Sequence, residues 1–149
     1  EAAFKEILPL LEVMGKQVTY MGASGNGQYA KLANQICIAG AIVSTAEALH
    51  FATEKGLDPE KFLNVVNNGS AASWQSTNQG PKMMVDDYEP GFFIKHFIKD
   101  LRLSLESSSA ERLPLSQLAL KQYELLQEKG FGDKGTQAIQ EFYRLKDID

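Results

Sequence analysis

From Gln28 to about Lys55 the chain carries no proline and a single glycine, Gly40. Leu32, Ile36, Ala39, Val43 and Ala46 recur at intervals of three and four, the period of one helical face. The pattern predicts a helix of roughly seven turns, about twice the usual length. Its apolar character is broad, taking in Ile36, Cys37, Ile38, Ala39, Ala41, Ile42 and Val43. Such breadth predicts burial on several sides, so the rest of the chain has to assemble around this rod.

The segments that follow are also helical in pattern. Asp58-Pro59-Glu60 supplies an N-cap and a first-turn proline, and that helix is expected to run to about Val66 before NNGS. Phe93, Phe97, Leu101 and Leu105 stand four apart and mark one apolar stripe. LPLSQLALKQYELLQEKG opens at Pro114 and closes at Gly130, with Lys129 in its last turn. TQAIQEFYRL makes a final helix. Beyond residue 24 the expectation is therefore an all-helical domain.

Upstream the pattern differs. Residues 2–13 have helical spacing interrupted by Pro9, which predicts a helix that is short or starts late. KQVTYMG, 16–22, alternates like a strand. A lone strand leaves both edges unpaired, so its partners are expected elsewhere. The chain also begins at Glu1 rather than Met, within a helix-like pattern, which suggests a piece of a longer protein.

Composition narrows the function. A net charge of −4 disfavours nucleic acid and anionic membrane as partners, since both favour a basic face. No apolar run is expected to approach the ~18 residues of a membrane span. Two distant histidines argue against a metal site. The single cysteine, Cys37, lies in an apolar run and is expected in the core, in keeping with a reducing, cytoplasmic setting.

Few residues remain for chemistry. In GNGQYAKLANQ, 25–35, Lys31, Asn34 and Gln35 stand at i, i+3 and i+4 and share a helical face. Two amides can hold a lysine in place while its proton stays available, yet a solvated surface lysine fits the same spacing. The glycines at 22, 25 and 27 miss the dinucleotide fingerprint and read mainly as a hinge. Lys99-Asp100 is a second charged pair, with His96 one turn before it. Trp74, Phe92 and Phe93 fit a core as well as a ligand platform. Ser70, Ser73 and Ser76 have no histidine at motif spacing, so nothing supports a serine hydrolase.

GNGQYAKLANQ resembles the G-x-G-x-x-x-K-x-x-N-[NQ] signature of the β-hydroxyacid dehydrogenases, the family of 3-hydroxyisobutyrate dehydrogenase and tartronate semialdehyde reductase. AEAL (46–49), KGLDPEKF (55–62), PGF (90–92), IKDLRL (98–103), LPL (113–115) and GDKGTQA (132–138) extend the likeness over nearly the whole chain. The resemblance implies an all-helical C-terminal domain of the 6-phosphogluconate dehydrogenase-like type over 25–149. It implies that 1–24 is the end of an NAD(P)-binding Rossmann domain. It implies Lys31 as general acid/base in hydride transfer between NAD or NADP and a small 3-hydroxy acid or semialdehyde. Asn34, Gln35, Phe92 and Asp100 are implied at the substrate and Lys99 at the cofactor. Trp74 falls in a variable loop with no role implied. A homodimer or homotetramer is implied, and this part of the chain alone would not turn over. Two rivals stand beside this: an imine reductase, disfavoured because that group usually has Asp or Tyr in place of Lys31, and a purely oligomerising scaffold.

Overall fold

The structure, a computed structural model, describes residues 1–145. Its central element, α2, spans Asn26–Glu54 and, at ~1.5 Å per residue, is about 43 Å long. Gly25 caps its N-terminus in the left-handed conformation (φ 92°), which a side chain would resist. The helices α3 (Pro59–Asn67), α4 (Trp74–Asn78), α5 (Gly80–Met84), α6 (Ile94–Glu106) and α7 (Pro114–Leu126) all pack on α2. So does a 3-10 helix, Thr136–Arg144, where the sequence predicted the final helix.

The caps follow the sequence signals. Asp58 accepts a hydrogen bond from the Lys61 amide at 3.0 Å, with Pro59 at the first position of α3. Ser73 and Ser76 form a reciprocal capping box at the start of α4. These serines are structural, holding Trp74 at the first position of that short helix.

The core is a layer of Ala39, Ile42, Val43, Ala46 and Leu49 from α2 against Ile94, Phe97, Ile98 and Leu101 from α6. Tyr123, Ala119 and Leu126 of α7 complete it with Ala138 and Ile139. The rings of Phe97 and Tyr123 meet edge to face at 5.1 Å. Tyr123, fully buried, donates to the Thr136 carbonyl at 2.9 Å and so ties the 3-10 helix to α7. Gly40 lets α7 approach closely, since a Cβ there would stand 3.0 Å from Leu115.

Four expectations need correction. First, residues 16–22 are irregular, and no strand occurs among the described residues; the one β-bridge joins Phe93 and Gly135. No described segment pairs with 16–22, and alternation without a partner ladder does not make a strand. Second, α1 (Ala2–Met14) runs straight through Pro9. The carbonyl that Pro9 cannot serve belongs to exposed Lys5, where water can satisfy it. Third, Cys37 is exposed, because α2 turns Ala39, Ile42 and Ala46 to the core and Cys37 away from it. Fourth, α2 is long and apolar enough to cross a membrane by length and composition alone. Its apolar face is instead taken up by α6, α7 and the 3-10 helix.

Truncating the aromatic centre should cost more than cutting the polar tie. Phe97→Ala is expected to lower the unfolding free energy by ~3–5 kcal/mol. Tyr123→Phe, which leaves the ring and removes the hydroxyl, should cost ~1–2 kcal/mol. Urea denaturation of the two variants checks both the size and the order.

Candidate active site

The pairing of α2 with α6 sets Lys31 and Gln35, on successive turns, beside Asp100. Asp100 is 1% exposed. Gln35 Nε2 donates to its Oδ2 at 2.9 Å, and Lys31 Nζ lies 3.3 Å from the same oxygen. Lys99 Nζ stands 2.9 Å from Oδ1 in an ion pair. Burial pushes the Asp100 carboxyl up, but Lys99, Lys31 and Gln35 together outweigh it and hold it below the usual carboxylate range. The carboxylate is therefore charged, buried, and shared between two ammonium groups that keep their other sides in solvent (54% and 60% exposed).

Two cavities meet at this cluster, and both are lined by Lys31 and Asp100. One, of about 410 Å³, is walled by Gln35, Ile38, Trp74, Gln75, Gln79, Gly91, Phe92 and Thr136. The other, of about 380 Å³, lies on the α2 N-terminus side and is walled by Gly25, Gln28, Tyr29, Leu32, Lys99, Leu103 and Ser107. A larger groove of about 500 Å³ runs between α2 and α7 past Gly40, Phe51, Leu115 and Leu118. Its wall is apolar along Val43, Ala48, Leu115 and Leu118 and carries Glu47, His50 and Glu54 at its polar edge, with no lysine among its lining residues.

Of the residues singled out in the sequence, the fold brings Lys31, Gln35, Phe92, Lys99 and Asp100 to these two cavities. Asn34 is exposed on α2 and lines neither. His96 is also exposed, with its ring against Phe92 and Phe93 rather than at Asp100. Trp74, 64% exposed, forms part of the first cavity's wall. Sequence reasoning missed Gln75, Gln79 and Thr136. All three are uncharged, and only the packing of α4, α5 and the 3-10 helix against α2 brings them to the wall.

Residues 25–143 match the family model described as the NAD-binding domain of NADP-dependent 3-hydroxyisobutyrate dehydrogenase. The chain is 43% identical over 141 residues to the probable mitochondrial 3-hydroxyisobutyrate dehydrogenase-like 1 of Arabidopsis thaliana, covering 93% of this chain and 42% of that protein. It is 40% identical over 119 residues to the 2-hydroxy-3-oxopropionate reductase of Escherichia coli, covering 80% and 41%. In structure it is similar to the 3-hydroxyisobutyrate dehydrogenase of Mycobacterium tuberculosis solved with L-serine, with a TM-score of 0.88, 25% identity and coverage of 97% and 53%. The chain thus spans about half the length of these relatives.

The depressed acidity of Asp100 has a measurable consequence. Its ionised form is favoured in the folded state, so its contribution to stability is present above the unfolded value of ~3.9 and is lost as pH falls through the lower folded value. Denaturation across an acid pH series should show wild type more stable than Asp100→Asn near neutrality, with the gap closing below about pH 4. A gap independent of pH would contradict an ionised Asp100.

Proposed function

The chain belongs to the 3-hydroxyisobutyrate dehydrogenase family, and we propose that it supplies the proton-transfer half of an NAD(P)-dependent reduction of small semialdehydes to 3-hydroxy acids. The observation that carries this reading is Lys31, poised on a buried carboxylate where two cavities meet. One cavity suits a small polar substrate. The other fits one end of a nicotinamide dinucleotide: Lys99 offers a cation, Tyr29 an aromatic face, and the first turn of α2 its backbone. At about 380 Å³ it is at the low end of ligand pockets and takes part of a dinucleotide rather than all of it. The remainder fits the proposal that residues 1–24 belong to a Rossmann domain and 25–149 to the helical catalytic domain, with 146–149 outside the described residues. In support, α1 leaves Ile7, Leu10 and Met14 exposed on one face, with no residue buried.

When bound, the cofactor supplies the hydride. Lys31 Nζ gives a proton to the aldehyde oxygen as the C=O π pair moves onto it, leaving a hydroxyl on the product and a neutral amine on the lysine. Half-exposed, Lys31 regains its proton from solvent. In the oxidation direction the neutral amine takes the hydroxyl proton instead. Asp100 stays ionised and, with Gln35 bonded to the same oxygen, fixes where the Lys31 ammonium sits. Lys99 holds the opposite carboxylate oxygen and faces the cofactor cavity. Phe92 closes the substrate side with an apolar ring.

The groove along α2 and α7 favours a second role for the same domain. Phe51, Leu115 and Leu118 are exposed beside it, and they supply an apolar surface that a second copy can cover, in a homodimer or a tetramer. On this proposal the protein is a soluble, cytoplasmic enzyme whose helical domain both assembles and catalyses.

The test uses the full-length protein with NADH or NADPH and a set of short semialdehydes. Lys31→Ala should lower kcat by ~10²–10⁴-fold with oligomeric state unchanged in size-exclusion chromatography. Full activity in that variant removes Lys31 from the chemistry. No turnover in the wild type, with normal assembly, leaves the scaffold reading.

A further inference from the structure

Of the side chains lining the cavity beside Phe92, Gln79 and Asp100 each have a buried oxygen with no hydrogen bond among the described residues. For Asp100 the oxygen is Oδ1, which faces the Lys99 ammonium. For Gln79 it is Oε1, which has no donor among the described residues. Its backbone is fixed on both sides: the amide donates to the Gln75 carbonyl at 2.8 Å, and the carbonyl accepts from Met83 at 3.0 Å. The residue sits at the junction of α4 and α5, so its stem is held on the cavity wall. An acceptor buried without a donor destabilises the site, and a ligand donating to it removes that cost.

We propose that Gln79 is a specificity-determining residue, selecting substrates with a hydroxyl on the carbon between the carboxylate and the reacting carbon over those with an alkyl group there. The proposal rests on the dehydrogenase reading above. The choice follows from what each part of such a substrate can offer Oε1. A carboxylate at neutral pH has no proton to give, the aldehyde oxygen is Lys31's acceptor, and a methyl group leaves the amide unpaired. Between a hydroxyl and an alkyl group on that carbon, only the hydroxyl can donate. Sites built to pair a hydroxyl discriminate strongly against analogues lacking it, because their own polar group is then stranded.

Glycerate and 3-hydroxyisobutyrate make a matched pair, alike in size and differing in hydroxyl against methyl at C2. Full-length wild type and Gln79→Met would be compared for NAD(P)-dependent oxidation of each. Methionine keeps the length and removes the acceptor, so thermal stability should be unchanged or higher, and Gln79→Leu provides a second apolar variant. The expected result is a wild-type preference for glycerate and a fall of about 10-fold or more in the ratio of the two kcat/KM values in the variants. An equal effect on both substrates, or a wild-type preference for the methyl compound, overturns the role of Gln79 alone. Absence of turnover with both in the wild type overturns the dehydrogenase reading and this proposal with it.

Discussion

The site depends on one buried negative charge. Removing a carboxylate from water costs several kcal/mol, and an uncompensated one at the position of Asp100 would sooner be neutral. Here Lys31 and Lys99 approach from opposite sides and Gln35 donates directly, so the charge persists at 1% exposure. The same arrangement fixes two flexible lysines whose far sides remain in solvent. An exposed ion pair alone would hold neither well. Burial of one partner turns a weak surface contact into a positioning device.

That burial is a consequence of α2. A helix about eight turns long can present different residues to different neighbours along its length. Its N-terminal third meets α6 through Lys31 and Gln35, while its middle carries the apolar layer of Ala39, Ile42 and Ala46. The aromatic contact between Phe97 and Tyr123 fixes α6 against α7, and the Tyr123 hydroxyl fixes the 3-10 helix in turn. Thr136, at the start of that helix, reaches the cavity wall through this chain of contacts. Packing in the core thus sets the shape of the pocket.

How far the sequence reveals this varies with the range of the interaction. Local signals translated well: the proline-free run became α2, Asp58 capped α3, and the stripe from Phe97 to Leu101 became the buried face of α6. Signals that need a distant partner did not. Residues 16–22 alternate like a strand but have nothing described to pair with, and Cys37 looked buried because apolar neighbours surround it in sequence rather than in space. Lys31 and Asp100 lie 69 positions apart, so spacing alone could not show that Asp100 is buried or that the two residues meet. Charge and spacing single out each residue separately, and the likeness to the dehydrogenase family implies a role for both. Gln75, Gln79 and Thr136 carry no expected role in the sequence and reach the cavity wall only through the fold.

The central claim is that Asp100 acts through Lys31, and a double-mutant cycle on kcat in the full-length protein tests it most directly. The four proteins are wild type, Lys31→Ala, Asp100→Asn and the double variant. If Asp100 works by holding the ammonium, its substitution should slow the wild type but add little once Lys31 is gone, giving strongly non-additive losses. Losses that multiply independently would contradict the account and separate Asp100 from the lysine it contacts.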